Sequence, residues 1–278
     1  MELKRRVDIK KYKIVLPGMI TSASILCGLF AIFLAINNLE DNGWYTVSCW
    51  LIILASIIDG LDGKVARLTN TSSEFGIQYD SIADVSTFGV ATSVVLFKQI
   101  YLTQIDANPI YYVFPVLFLL CGAIRLARFN TTATTGAKNC FYGLPIPTAS
   151  GAVVSLMLFF HWVEQNPHPI PGLSLQILPF SEGMVLRIAS IYTVLVSFLM
   201  VSLIKYDVSG YFFFGEIKKH WFRSIMNVLI VLTLFVYPSL AFFLMGVFYV
   251  FYGLVRFFTG LLNRKEGEEE TETEIQTQ

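Results

Sequence analysis

Long apolar runs broken by short polar stretches make up most of the chain from residue 17 onward. Hydrocarbon about 30 Å thick is crossed by roughly 20 helical residues. Eight stretches reach that scale: 17–37, 44–63, 79–98, 109–129, 146–163, 184–204, 222–238 and 239–260. The runs are continuous and lack period-two alternation, so they predict helices and not the strands of a membrane barrel. The last two form one apolar run, and Pro238 is its natural break, because proline removes a helical hydrogen bond. They are expected to fold as a tight helical hairpin. The first run lacks a small-residue cleavage site and leads straight into further spans, so it does not read as a cleaved signal. The expected fold class is all-α: a polytopic membrane helical bundle of about eight transmembrane helices.

Composition agrees. Of 278 residues, 55% are hydrophobic and only 14% charged, against about 25% charged in a soluble domain. A soluble fold of this size is excluded, because it would need more polar surface. Net charge is zero, but its placement is uneven. Residues 1–15 form a basic segment expected in the cytoplasm, 16–262 a membrane domain, and 263–278 an acidic tail. The tail from Glu266 holds six Glu and no aromatic residue, the composition of a solvated, disordered segment. Cys27, Cys49, Cys121 and Cys140 lie in or beside apolar runs and read as small buried residues. His161, His168 and His220 form no ligand cluster, and no basic stripe suggests nucleic acid.

Lysine and arginine set the orientation. The leading segment carries Lys4, Arg5, Arg6, Lys10, Lys11 and Lys13, whereas loop 38–43 has neither residue type. Lys64 and Arg67 follow the second run. Arg125, Arg128 and Lys138 follow the fourth, and Lys205, Lys218, Lys219 and Arg223 follow the sixth. Loop 164–183 and the Pro238 turn are bare, and Arg187 is a mild exception. This alternation puts both termini and loops 64–79, 130–145 and 205–221 on the cytoplasmic side of a multi-pass protein of the cell membrane.

Four carboxylates sit at that edge. Asp59 and Asp62 are three residues apart, and Asp80 and Asp84 four apart, so each pair shares a helical face. Carboxylates in membrane helices are expensive and usually mark a site. A short connection, 68–75, makes the second and third helices antiparallel neighbours whose carboxylates can converge. Four converging Asp would repel strongly unless positive charge joined them. Arg67 supplies one charge. Hard divalent cations with oxygen ligands supply the rest, and a cage without His or Cys favours Mg²⁺, Mn²⁺ or Ca²⁺ over Zn²⁺. Two close ions would clamp a phosphoryl group. Gly60, Gly63, Ala66 and Gly76 leave room for a ligand or a neighbouring backbone.

These residues read Asp59-x-x-Asp62-Gly63-x-x-Ala66-Arg67, eight residues, then Gly76-x-x-x-Asp80-x-x-x-Asp84. The pattern resembles the signature of the CDP-alcohol phosphotransferase family at all eight fixed positions. Arg125-Leu126-Ala127-Arg128-Phe129-Asn130, Tyr142-Gly143-Leu144-Pro145-Ile146-Pro147-Thr148-Ala149 and Asp84-Val85-Ser86-Thr87-Phe88-Gly89-Val90-Ala91 resemble its membrane-type phosphatidylserine synthase branch. The resemblance covers about residues 14–160. That branch carries Asn on its first helix where this chain has Gly18 and Ser24, which cannot reproduce amide hydrogen bonds. Thr21 is kept.

The resemblance implies transfer of a phosphatidyl group from CDP-diacylglycerol to an alcohol with release of CMP. Asp59, Asp62 and Asp80 would be metal ligands, and Asp84 the general base, also touching a metal. Gly63, Ala66, Arg67 and Gly76 would contact the CDP part, and Thr21 a phosphate. It also implies a homodimer. Serine adds a carboxylate that a bidentate arginine suits. Arg125 or Arg128 is the expected partner, with Asn130 and Lys138 nearby. Other acceptors (glycerol phosphate, inositol phosphate, choline), an archaeal-type lipid donor, and a cation transporter built on the same carboxylates are the competing readings.

Overall fold

The computed structural model describes residues 9–37, 42–69, 74–102, 109–134, 143–166, 182–204, 233–255 and 257. Helices dominate them, and no strand occurs among them. In chain order they are α1 (Ile9–Asn37), α2 (Asn42–Thr69), α3 (Glu74–Asp84), α4 (Ala91–Leu102), α5 (Val113–Thr134), α6 (Ile146–Gln165) and α7 (Glu182–Val201). The last is α8 (Pro238–Val255). A π-helical segment, Val85–Val90, joins α3 to α4, and a 3₁₀ turn, Pro109–Tyr112, opens α5. Among the described residues, seven stretches are long and apolar enough to cross a membrane, with α3, the π segment and α4 counted together.

The expected span 222–238 lies outside the described residues up to 232; 233–236 is helical and Tyr237 is not. Helix resumes at Pro238, so proline stands at a first position, where its missing N–H costs nothing. Of the basic segment 1–15, residues 1–8 lie outside the described residues and 9–15 belong to α1, and the acidic tail 263–278 lies outside them entirely. Two boundaries differ from expectation. The first helix begins at Ile9, runs through Pro17, and so starts eight residues early. The connection expected at 68–75 shrinks to 70–73, because α2 reaches Thr69 and α3 starts at Glu74. Polar residues continue these helices beyond the apolar window, which hydropathy cannot detect.

Lipid tails are as apolar as leucine, so burial of apolar area does not by itself drive these helices together. Close packing and internal hydrogen bonds do. The outer faces accordingly carry exposed Phe30, Phe33, Leu120, Ile191 and Phe198. Inside, α6 is the central helix: 61% of its span is buried, against 17% for α8. Its Ala149, Ser150, Ala152 and Ser155 are small enough for neighbours to come close. A Cβ on Gly246 of α8 would lie 3.0 Å from the Ala152 Cα. Thr92 of α4 shares a hydrogen bond with Ser150 of α6, and Ser93 donates to the Pro115 carbonyl at 2.8 Å. Phe88, Phe118, Leu144, Ile146 and Met200 fill the space between, all fully buried.

The π segment decides where the carboxylate-bearing part of α3 ends. The Ala91 N–H bonds to the Ser86 carbonyl, five residues back. That wide turn inserts an extra residue and shifts the register between α3 and α4, a feature frequent at functional sites. It is wedged between α1 and α5. A Cβ on Gly28 would stand 2.9 Å from the Thr87 Cα, and one on Gly89 2.9 Å from Leu119. At Gly28 only glycine allows the two backbones to approach so closely, whereas at Gly89 the neighbour is the tip of the Leu119 side chain.

Candidate active site

Asp59 and Asp62 lie near the C-terminal end of α2, and Asp80 and Asp84 on α3. The short connection between these helices returns the chain to the same end of the bundle. One carboxylate oxygen each from Asp59, Asp62 and Asp80 falls within 4.8 Å of the others. Asp62 and Asp84 are buried, and Asp59 and Asp80 half-buried. Asp84 stands within electrostatic reach of the other three and of Arg125. Asp59 Oδ1 and Asp84 Oδ1 are buried without a hydrogen-bond partner.

Such an arrangement is costly as it stands. A buried carboxylate oxygen without a donor loses its hydration and gains nothing. Carboxylates this close also repel. A hard divalent cation answers both problems, because it takes several oxygen ligands and cancels their charge. The donor set contains oxygen only, so the residues fit Mg²⁺, Mn²⁺ or Ca²⁺.

Three further residues shape this end. Thr21 Oγ1 of α1 donates to Asp62 Oδ2 at 2.8 Å. Its hydroxyl thus meets one of the clustered carboxylates, a contact the sequence did not suggest. Gly60 and Gly63 face open space: a Cβ on either would meet nothing within 4 Å. Gly76 is exposed. An unobstructed approach to the carboxylates is what a bulky diphosphate headgroup needs. Ala66 and Arg67 lie on the last turns of α2, with their side chains outside the described residues, as is Lys138 entirely.

The two arginines part company. Arg125 is buried, lies over the Phe129 ring at 5.5 Å, and is within electrostatic reach of Asp84. Its Nε has no hydrogen-bond partner. Arg128 turns instead to the C-terminus of α7. Its Nη1 donates to the Val201 carbonyl at 2.7 Å, and its Nη2 to Ser202 at 3.1 Å and Met200 at 3.5 Å. The segment entering α6 reaches the same place: Gly143 N–H donates to the Ile204 carbonyl at 2.8 Å, and Leu144 N–H to Leu199 at 3.1 Å. Terminal helical carbonyls have no partner within their own helix. Those of α7 are satisfied by two stretches that lie far away in sequence. Gly143 has φ +81°, and a Cβ there would sit 2.1 Å from the Met200 carbonyl oxygen, so glycine is required twice over.

Asn130 does not join the carboxylates. Its Nδ2 donates to Ser81 Oγ at 3.0 Å, and both line a groove of about 310 Å³ between α3 and α5. Tyr79 and Ser22, unremarkable in the sequence, meet beside Asp80: their hydroxyl oxygens are 2.8 Å apart. Fifty-seven residues separate them, so no local pattern could have paired them.

The chain is similar to known proteins along much of its length. The CDP-diacylglycerol–serine O-phosphatidyltransferase of Helicobacter pylori strain 26695 is 35% identical over 240 residues, covering 86% of this chain and 90% of its own. The Methanocaldococcus jannaschii protein of the same name is 32% identical over 247 residues, covering 89% and 96%. Archaetidylserine synthase of Methanothermobacter thermautotrophicus is 38% identical over 147 residues, 52% of this chain and 58% of that one. The sequence profile described as CDP-alcohol phosphatidyltransferase matches residues 14–199, a stretch that takes in every carboxylate described above, and the chain belongs to that family.

Proposed function

We propose that this protein transfers the phosphatidyl group of CDP-diacylglycerol to the hydroxyl of L-serine, yielding phosphatidylserine and CMP. The observation that carries this reading is the convergence of the Asp59, Asp62 and Asp80 oxygens within 4.8 Å in a chain of this family. Near full-length similarity to serine O-phosphatidyltransferases supports the choice of acceptor.

Asp59, Asp62, Asp80 and Asp84 would hold one or two divalent cations, Mg²⁺ or Mn²⁺ foremost. A bound cation neutralises the diphosphate and the charge that develops on the departing CMP. Gly60 and Gly63 leave the headgroup free to approach, and the family resemblance assigns Gly63, Ala66, Arg67 and Gly76 to the CDP part. Thr21 holds the Asp62 carboxylate in place, so that its oxygen keeps one orientation. Asp84 accepts the proton of the serine hydroxyl, for which its buried, unpartnered Oδ1 is available. The serine oxygen then attacks the lipid-bearing phosphorus in line with the leaving CMP. Arg125 receives the serine carboxylate: it is buried within electrostatic reach of Asp84 with its Nε donor unused, whereas Arg128 serves α7.

The active end faces the cytoplasm under the positive-inside rule. Both termini lie on that side of the cell membrane, with 16–262 as the catalytic membrane domain and 263–278 as a solvated tail. The protein works as a homodimer, as the family resemblance implies. The acceptor and donor are tested together by giving the purified protein CDP-diacylglycerol with a panel of alcohols and following CMP release. Serine should be the acceptor used. A second donor reading rests on the likeness to an archaetidylserine synthase, and substituting the isoprenoid ether analogue of the donor decides between them. Cation-dependent CMP release in detergent, without any gradient, separates an enzyme from a transporter.

A further inference from the structure

One helix carries no carboxylate yet touches both helices that do. On α1, Thr21 donates to Asp62 of α2, and the next residue, Ser22, meets Tyr79 of α3. Consecutive helical residues point about 100° apart, so one dipeptide reaches two different neighbours. The proton order of the second contact follows from its surroundings. Ser22 Oγ also lies 2.7 Å from the Gly18 carbonyl and donates to it. A hydroxyl has one proton, so Tyr79 is the donor to Ser22. The Tyr79 ring is pinned as well: it stacks on Phe75 with centroids 5.9 Å apart and planes 7° from parallel. Tyr79 immediately precedes Asp80.

The three ligand oxygens come from two helices, Asp59 and Asp62 from α2 and Asp80 from α3. Neither helix alone sets the distance between the two groups. Where the related branch carries amides on the first helix, Gly18 offers no side chain, and Ser24 donates to the Ala55 carbonyl at 3.4 Å. The polar links from α1 to the site run through Thr21 and Ser22.

We infer that Thr21 and Ser22 form a latch that fixes α2 and α3 against α1, and that the Tyr79–Ser22 hydrogen bond sets the position of Asp80 in the cation site. Tyr79 and Ser22 are positioning residues, acting through Asp80. The inference rests on the functional reading above for the identity of the site.

Tyr79→Phe keeps the ring and its stack and removes only the hydroxyl. Ser22→Ala removes the acceptor. Full-length protein in detergent is titrated with Mn²⁺ in the presence of CDP, with bound ion read by electron paramagnetic resonance and no turnover required. Each single variant should bind Mn²⁺ about fivefold more weakly, the scale of one net hydrogen bond. The double variant should be no weaker than either single, because both remove the same bond. The Mn²⁺ concentration for half-maximal CMP release should shift by the same factor, with the KM for serine unchanged. Unchanged Mn²⁺ binding in Tyr79→Phe, or additive losses in the double variant, overturns the latch. A wild-type protein that binds Mn²⁺ but releases no CMP overturns the reaction instead, and the latch is then judged by the Mn²⁺ titration alone.

Discussion

Arg128 of α5 donates to the Val201 carbonyl of α7 at 2.7 Å, across 73 residues of sequence. With Gly143 and Leu144 it caps a helix that belongs to neither of their own segments. Arg128→Ala therefore should lower the thermal stability of the detergent-solubilised protein by about 2 kcal/mol, the scale of a charge-assisted hydrogen bond. Arg128→Lys should recover part of that loss. A normal melting temperature combined with a raised KM for serine would place Arg128 on the substrate.

Arg125 sits three residues earlier, buried within electrostatic reach of Asp84. Lysine at this position keeps the charge and loses the paired donors that match a carboxylate. Arg125→Lys is expected to raise the KM for serine about tenfold or more, with a smaller effect on the KM for CDP-diacylglycerol. Steady-state kinetics with each substrate varied in turn would expose the opposite pattern.

Asp84→Asn keeps the size of the side chain and removes its basicity. Turnover should fall by about 10² to 10⁴, the usual contribution of a positioned general base. CDP binding, measured by equilibrium dialysis, should stay near wild type. Near-normal turnover would remove Asp84 from the role of base.

Glycines separate packing from ligand space. Gly143→Ala meets the Met200 carbonyl and a left-handed backbone, so it should destabilise the fold by about 1–3 kcal/mol. Gly63→Ala meets nothing within 4 Å. It should melt like wild type and lose donor affinity, seen as a raised KM for CDP-diacylglycerol. A stability loss in Gly63→Ala would show that its open face is filled by protein and not by substrate.

Much of this architecture was legible from local pattern. Apolar runs of membrane length mark the spans, because the bilayer imposes a thickness on each helix separately. The spacing of Asp59, Asp62, Asp80 and Asp84 shows which carboxylates share a face, because helical periodicity is a property of adjacent residues. Their convergence followed from a short connection alone. The cost of burying four like charges points to a cation by electrostatics that need no coordinates.

Tertiary structure decided the rest. Arg125 and Arg128 stand about 60° apart around one helix, close enough for the sequence to treat them as equivalent. Packing splits that small angle: one guanidinium is buried within electrostatic reach of Asp84 and the other binds the end of α7. The tight passage of Gly28 past Thr87 and the meeting of Ser22 with Tyr79 each join residues remote in sequence. Periodicity carries information only along one helix. Which side chains meet across helices depends on how the helices rotate and settle against one another, and that follows from the whole set of contacts at once.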